Sequence, residues 1–166
     1  MKVREYLDKS EPALVEALQE LVRIPTVNPP GSNYKQIVDL LAKRCSSLGM
    51  DVRVHRVPDD ALKTASVSSK FPRYNLIARW QVGAADTVHF NAHYDVVPAS
   101  GSWRFGSAFE PVVNNGNLYG RGSGDMKGSI AALLMALEAM RRTGTDPAFN
   151  IECSFTADEE TGGDLG

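Results

Sequence analysis

Near the end of the chain, in TADEETGG (residues 156–163), three acids follow one another: Asp158, Glu159 and Glu160. Adjacent carboxylates repel, so such a run either faces water or is held together by a cation. For an isolated triplet a solvated surface turn is the ordinary outcome, and only its company argues otherwise. Two further clusters supply that company. NAHYDVVP places His93 two residues before Asp95, within reach of the same imidazole. A carboxylate on one ring nitrogen fixes the tautomer and leaves the other nitrogen free for a metal. GSGDMKG places Asp125 between a glycine-rich run and an apolar segment, where it could bind a cation or simply cap a helix.

The glycine-rich run does not spell a nucleotide site. A phosphate loop needs glycine directly before its lysine and serine or threonine directly after. Here Lys127 follows Met126 and precedes Gly128, and Gly122, Gly124 and Gly128 miss the dinucleotide spacing. Asp125 would also aim a negative charge at any phosphate. Imidazole and carboxylate donors without thiolate suit zinc instead, with cobalt or manganese as substitutes. Two neighbouring acids can divide the labour. One ligates, and the other takes a proton from water whose pKa the metal lowers towards ~7. With several carboxylates converging, a pair of ions about 3.5–4 Å apart fits the composition. His55 and His89 lack such a partner and read as structural.

These residues need elements that bring them to one edge. SEPALVEALQELVRIP reads as a helix, with Ser10 as N-cap, Leu14, Leu18, Leu21 and Val22 on one face and Pro25 as stop. VNPPGSN is a turn cluster. A second helix from Tyr34 to Leu48 carries Ile37, Leu40, Leu41 and Leu48, and Gly49 closes it. MDVRVHRV alternates as a strand does. Residues 57 to 72 read as a surface loop or a short helix. NLIARWQV and DTVHFNAH are β-type runs, and Asn115-Gly116 in PVVNNGNLYG suits a tight hairpin turn. SIAALLMALEAMRRTG is apolar almost all round and predicts a buried helix closed by Gly144. NIECSFTA alternates again, with Ile151, Cys153 and Phe155 on one face. Strand, helix, strand in this order predicts a right-handed parallel crossover. The fold class is therefore α/β, a mostly parallel sheet with helices packed on it. In such sheets ligands bind beyond the carboxyl ends of the strands, where all three acidic clusters map.

Bulk properties narrow the function classes. The 166 residues suit one domain spanning 1–166. A net charge of -2 and a pI near 5.9 give no electrostatic case for nucleic acid or an anionic membrane. The N-terminus has no secretory h-region, and the longest apolar stretch, Ile130 to Leu137, is far too short to span a bilayer. Cys45 and Cys153 are not spaced as a metal knuckle and read as reduced, buried thiols of a cytoplasmic protein.

With VRIPTVNPPG, NLIARW, NAHYDVVP, LYGRGSGDMKG and TADEETGG in this order, the chain resembles the N-terminal part of the M20 metallopeptidase family. That family includes acetylornithine deacetylases, succinyl-diaminopimelate desuccinylases, aminoacylases and glutamate-releasing carboxypeptidases. The resemblance implies the catalytic domain of a zinc-dependent exopeptidase-like fold and covers nearly the whole chain. It implies two zinc ions, with His93 a ligand of one, Asp95 its orienting partner and Asp125 a bridge between them. Glu160 becomes a ligand of the second ion and Glu159 the general base and proton shuttle. It also implies a cis peptide at Asp125-Met126. The implied reaction is hydrolysis of amide bonds in N-acyl amino acids or small peptides. The family's further acidic ligand, its far C-terminal histidine and its lid domain have no counterpart before Gly166, so the expectation is a truncated catalytic domain, poorly soluble and weakly active or inactive. A homodimer is expected only of a full-length protein. Asp164 is a stand-in candidate for a missing ligand. Trp103 and Arg104, in SGSWRFGSAFEP, are candidates for substrate contact or for ordinary packing. Two other readings stay open: a remnant that binds a metal or partner without turnover, and a plain α/β domain whose acids are solvated.

Overall fold

The computed structural model describes residues 2–166. Its element order is α1 (Val3–Asp8), α2 (Glu11–Val22), α3 (Tyr34–Ser47), β1 (Asp51–Arg56), α4 (Asp59–Thr64), β2 (Tyr74–Trp80), β3 (Thr87–His93), β4 (Val112–Asn114), β5 (Asn117–Tyr119), α5 (Lys127–Thr143) and β6 (Asn150–Thr156), then a single 3₁₀ turn at Glu159–Thr161.

The α/β class holds, but the sheet is mixed rather than mostly parallel. Its order is β1-β2-β6-β3. The β1–β2 and β2–β6 pairs are antiparallel, and only β3–β6 is parallel. The reason lies in the connections. A parallel return needs a crossover of a dozen residues or more, and the segment between Trp80 and Thr87 is too short for one. β3 therefore runs opposite to β2 and leaves a gap that β6 fills. The crossover predicted through α5 is present, and it makes β3 and β6 parallel, with His93 opposite Thr156. Both strands thus end at the same edge.

Alternation sorts the sheet faces. Leu76, Ala78 and Trp80 of β2 and Ile151, Cys153 and Phe155 of β6 join Ile37, Val38, Leu41 and Cys45 of α3 and Ile130, Leu134 and Leu137 of α5 in one core. Each large apolar side chain fully buried there contributes about 1.5–3 kcal/mol. Asn115 and Gly116 both have positive φ, the geometry of the tight turn joining β4 to β5. Both cysteines are free and buried. Ser10 occupies the N-cap of α2 without a side-chain cap bond, because its hydroxyl donates back to the Tyr6 carbonyl (2.7 Å).

The glycine-rich loop serves packing. A side chain at Gly128 would collide with the Ser123 carbonyl oxygen. Lys127, fully buried, points into the core, where Nζ donates to the carbonyls of Leu21 (3.0 Å) and Ile24 (2.7 Å). It ties the start of α5 to the end of α2. No described helix is long and apolar enough to cross a membrane.

Candidate metal centre

The shared strand edge gathers the predicted residues. His93 is the last residue of β3, and Asp95 lies two residues on, fully buried. His93 Nδ1 sits 3.4 Å from Asp95 Oδ1 and 3.2 Å from the Asp95 carbonyl. The ring is thereby fixed on one side. Its other nitrogen, Nε2, faces Asp125 Oδ1 at 3.0 Å and Glu159 Oε2 at 3.7 Å. Asp125 is not the cap of α5: Met126 holds that position, and the Asp125 carboxylate is 79% exposed and turned to His93. The Asp125-Met126 peptide is cis.

Asp95 does more than orient the imidazole. The Glu159 amide donates to its Oδ1 (3.3 Å) and the Glu160 amide to its Oδ2 (3.2 Å). One carboxylate therefore sets the position of the histidine and of the backbone carrying both glutamates. Burial alone would raise the Asp95 pKa, but the hydrogen bonds from His93, Asn28 and the Glu160 amide hold it below the usual carboxylate value. Burial would likewise lower the pKa of His93, yet its bonds to Asp95 and Asp125, with Glu159 close by, raise it to about 9. For Glu160, burial raises the pKa and the nearby carboxylates of Asp125, Asp95 and Glu159 add to it against the pull of His93. The cluster attracts positive charge.

The acidic triplet splits. Asp158, in a left-handed conformation (φ 64°), turns inward and is buried. Its carboxylate lies 2.7 Å from Arg73 Nε, also buried. Asn28 stands between the two buried acids: its Nδ2 reaches Asp95 Oδ2 and Asp158 Oδ1, each at 3.0 Å. The sequence alone does not mark Asn28, which lies in the VNPPGSN turn cluster, or Arg73, which lies between the 57–72 segment and the NLIARWQV strand. Their partners lie 67 to 130 residues away, and no local pattern announces such pairs. Asp164, the stand-in candidate, lines a cavity of about 170 Å³ with Asn28, Pro29, Arg73 and Asp158. Trp103 lies under the Arg121 guanidinium (5.6 Å), and Arg104 lies over Phe105 (5.3 Å), so both have packing partners. His89 bonds Ser154 Oγ through Nε2 at 2.8 Å, a cross-strand contact.

One imidazole and several carboxylate oxygens, without thiolate, fit a divalent cation in kind and in charge. Among the described residues, however, no three His, Cys, Asp or Glu side chains group closely enough to hold an ion.

Residues 89–166 match the profile of peptidase family M20/M25/M40. A succinyl-diaminopimelate desuccinylase of Acidovorax ebreus is 35% identical over 144 residues, 86% of this chain and 35% of the relative. Human carnosine dipeptidase 1 superposes with a TM-score of 0.80 at 26% identity, over 96% of this chain and 35% of the dipeptidase. An M20 family metallo-carboxypeptidase of Sulfolobus solfataricus gives a TM-score of 0.73 at 21% identity, over 89% and 31% of the two chains, a likeness of fold. The chain spans about a third of the length of the relatives it matches. The profile match begins at His89 and takes in all three acidic clusters, and the likeness of sequence and fold extends over most of the remainder: the chain belongs to the M20 peptidase family.

Proposed function

We propose that these residues form part of the active site of a zinc-dependent hydrolase that cleaves amide bonds in N-acyl amino acids or small peptides. The observation that carries this reading is the arrangement around Asp95, which fixes His93 on one side and the amides of Glu159 and Glu160 on the other. The substrate class follows from the relatives, a desuccinylase and a dipeptidase. In this reading His93, Asp125 and Glu160 hold metal, with Asp125 shared between two ions. Bound there, zinc supplies Lewis acidity towards the amide carbonyl and towards water.

The chain's own residues do the rest. Asp95 holds the imidazole so that Nε2 faces the exposed carboxylates. Glu159, mostly exposed and next to Nε2, takes the proton from the attacking water on a carboxylate oxygen. It returns that proton to the departing amine nitrogen, so the amide C–N bond breaks as the C–O bond forms and the base is regenerated.

A second reading, a remnant that binds metal or a partner without turnover, draws on the absence of a closed three-donor group among the described residues. Zinc titration by calorimetry, alongside hydrolysis of a panel of N-acyl amino acids and dipeptides, separates the two. The enzyme reading expects Glu159→Gln to abolish turnover and keep zinc, and Asp125→Ala to lose zinc. Turnover that survives Glu159→Gln would sink it, and zinc binding with no turnover in any substrate would favour the remnant.

A further inference from the structure

Asn28 bridges two buried acids, Asp95 and Asp158. Its backbone is pinned to the segment that carries Asp95: the Asn28 amide donates to the Val96 carbonyl (2.9 Å), and the Thr26 hydroxyl donates to the Tyr94 carbonyl (2.6 Å). Asn28 as a whole is 1% exposed. Nδ2 reaches Asp95 Oδ2, Asp158 Oδ1 and Thr161 Oγ1 (2.9 Å), three acceptors for two hydrogens. Oδ1 accepts from Arg73 Nη2 (3.2 Å). A flipped amide would set NH₂ against the guanidinium and oxygen against two carboxylates. Arg73 and the two carboxylates therefore select the same orientation of the Asn28 amide, with Arg73 holding its oxygen.

Arg73 is itself held without slack. Nε bonds Asp158, and Nη1 donates to the carbonyls of Pro30 (2.7 Å) and Phe71 (2.8 Å). Its guanidinium fills the space beside Gly31 where any side chain would collide. The Tyr34 ring lies beneath it (5.1 Å), and the Tyr34 hydroxyl donates to Asp158 Oδ1 (3.3 Å).

We infer that Arg73 and Asn28 are positioning residues for the candidate centre: Arg73 keys the Asn28 amide, and Asn28 fixes the Asp95 carboxylate that aims His93 and anchors the Glu159–Glu160 backbone. As a statement about a working site this rests on the proposed function. The arrangement itself is read without a metal.

The test is amide hydrogen exchange and His93 ring ¹⁵N shifts on the metal-free 166-residue chain, followed by zinc titration. Asn28→Ala should speed exchange at the Glu159 and Glu160 amides about tenfold and move the His93 signals, while core amides such as Phe155 and Leu134 keep their rates. Zinc affinity, where wild type has any, should fall about tenfold, the low end for loss of an outer-shell partner. Arg73→Lys keeps the charge against Asp158, but one ammonium cannot serve Asn28, Pro30 and Phe71 together, so it should give the same local pattern. Unchanged Glu159, Glu160 and His93 signals would overturn the inference. So would uniform acceleration of every amide, or failure of both variants to fold, since either assigns these residues to stability alone. A wild-type chain that binds no zinc, yet shows the local loosening in the variants, would remove the metal reading and leave the positioning role standing.

Discussion

The two sides of Asp95 treat negative charge in opposite ways. On the inner side, Asp158 is buried and meets Arg73, Asn28 and Tyr34. On the outer side, Asp125 and Glu159 extend into water and share one imidazole between them. The inner acid is matched by protein groups, as burial demands. The outer acids share only the His93 imidazole, whose pKa their company raises to about 9, and the carboxylates still outnumber the one positive charge among them. Inner residues thus hold the geometry, while the outer carboxylates stay exposed, as the proposed metal-binding role requires. Only five residues separate Val22, the end of α2, from Asn28, and they carry the inner network onto the same strand edge that ends in His93.

The sharpest way to break this comparison is to remove the inner cation. Arg73→Met leaves Asp158 buried beside Asn28 with no positive partner. Taking one partner from a buried pair costs about 3–5 kcal/mol. Urea denaturation should show that loss as a lower midpoint with little change in slope. A loss under about 1 kcal/mol would mean that water reaches Asp158 and that the inner side is not dry.

Raising the pH tests the same side without mutation. Burial raises the pKa of Cys45 to about 12 and of Cys153 to about 11, and it raises those of Tyr34 and Tyr94, beside Asp95 and Asp158. Above pH 9 the unfolded chain releases thiol protons that the folded chain keeps, so stability falls as pH rises. Lys127 works the other way: burial lowers its pKa to about 7, so the unfolded chain binds the extra proton up to about 10.5 and stability gains with pH. Two thiols against one lysine leave a net loss of stability between pH 9 and 10, to which His93 adds as it loses its proton near pH 9 in the folded chain, and the loss steepens above 10 as the tyrosines join. Equilibrium denaturation at half-unit pH steps would read it. A flat profile from 9 to 11 would show that the tyrosine hydroxyls and thiols are wetter than their burial indicates.

The same division governs what could be read from the sequence. Periodic helices, the Asn115-Gly116 turn and the β3–α5–β6 crossover follow from local signals, and the packed structure keeps them. So does the grouping of His93, Asp125 and Glu159, because parallel strands bring their ends to one edge. The insertion of β6 between β2 and β3 was not legible, since strand order depends on which edge the returning chain meets. Nor was the inner network. Asp158 looked equivalent to its two neighbours, and only its positive φ turns it inward. Arg73 sits in FPRYN with no acid near it in sequence, and its partner is 85 residues away.

The smallest expected effect is on the outer side, and its smallness is the point. Asp125→Asn, Glu159→Gln and Glu160→Gln each remove one carboxylate from a like-charged group that is at least partly exposed. Substitutions at such positions stay within about 0.5 kcal/mol of wild type, and here relief of repulsion biases the change towards stabilisation. The Asp125–His93 contact opposes that bias only weakly, because the carboxylate is 79% exposed and water screens it. Thermal denaturation in EDTA should therefore find the three variants indistinguishable from wild type or slightly more stable, while Asp125→Asn and Glu160→Gln weaken zinc binding. A loss above about 2 kcal/mol for any of them would place that acid with the inner set, as part of the structure rather than as a group held free to bind.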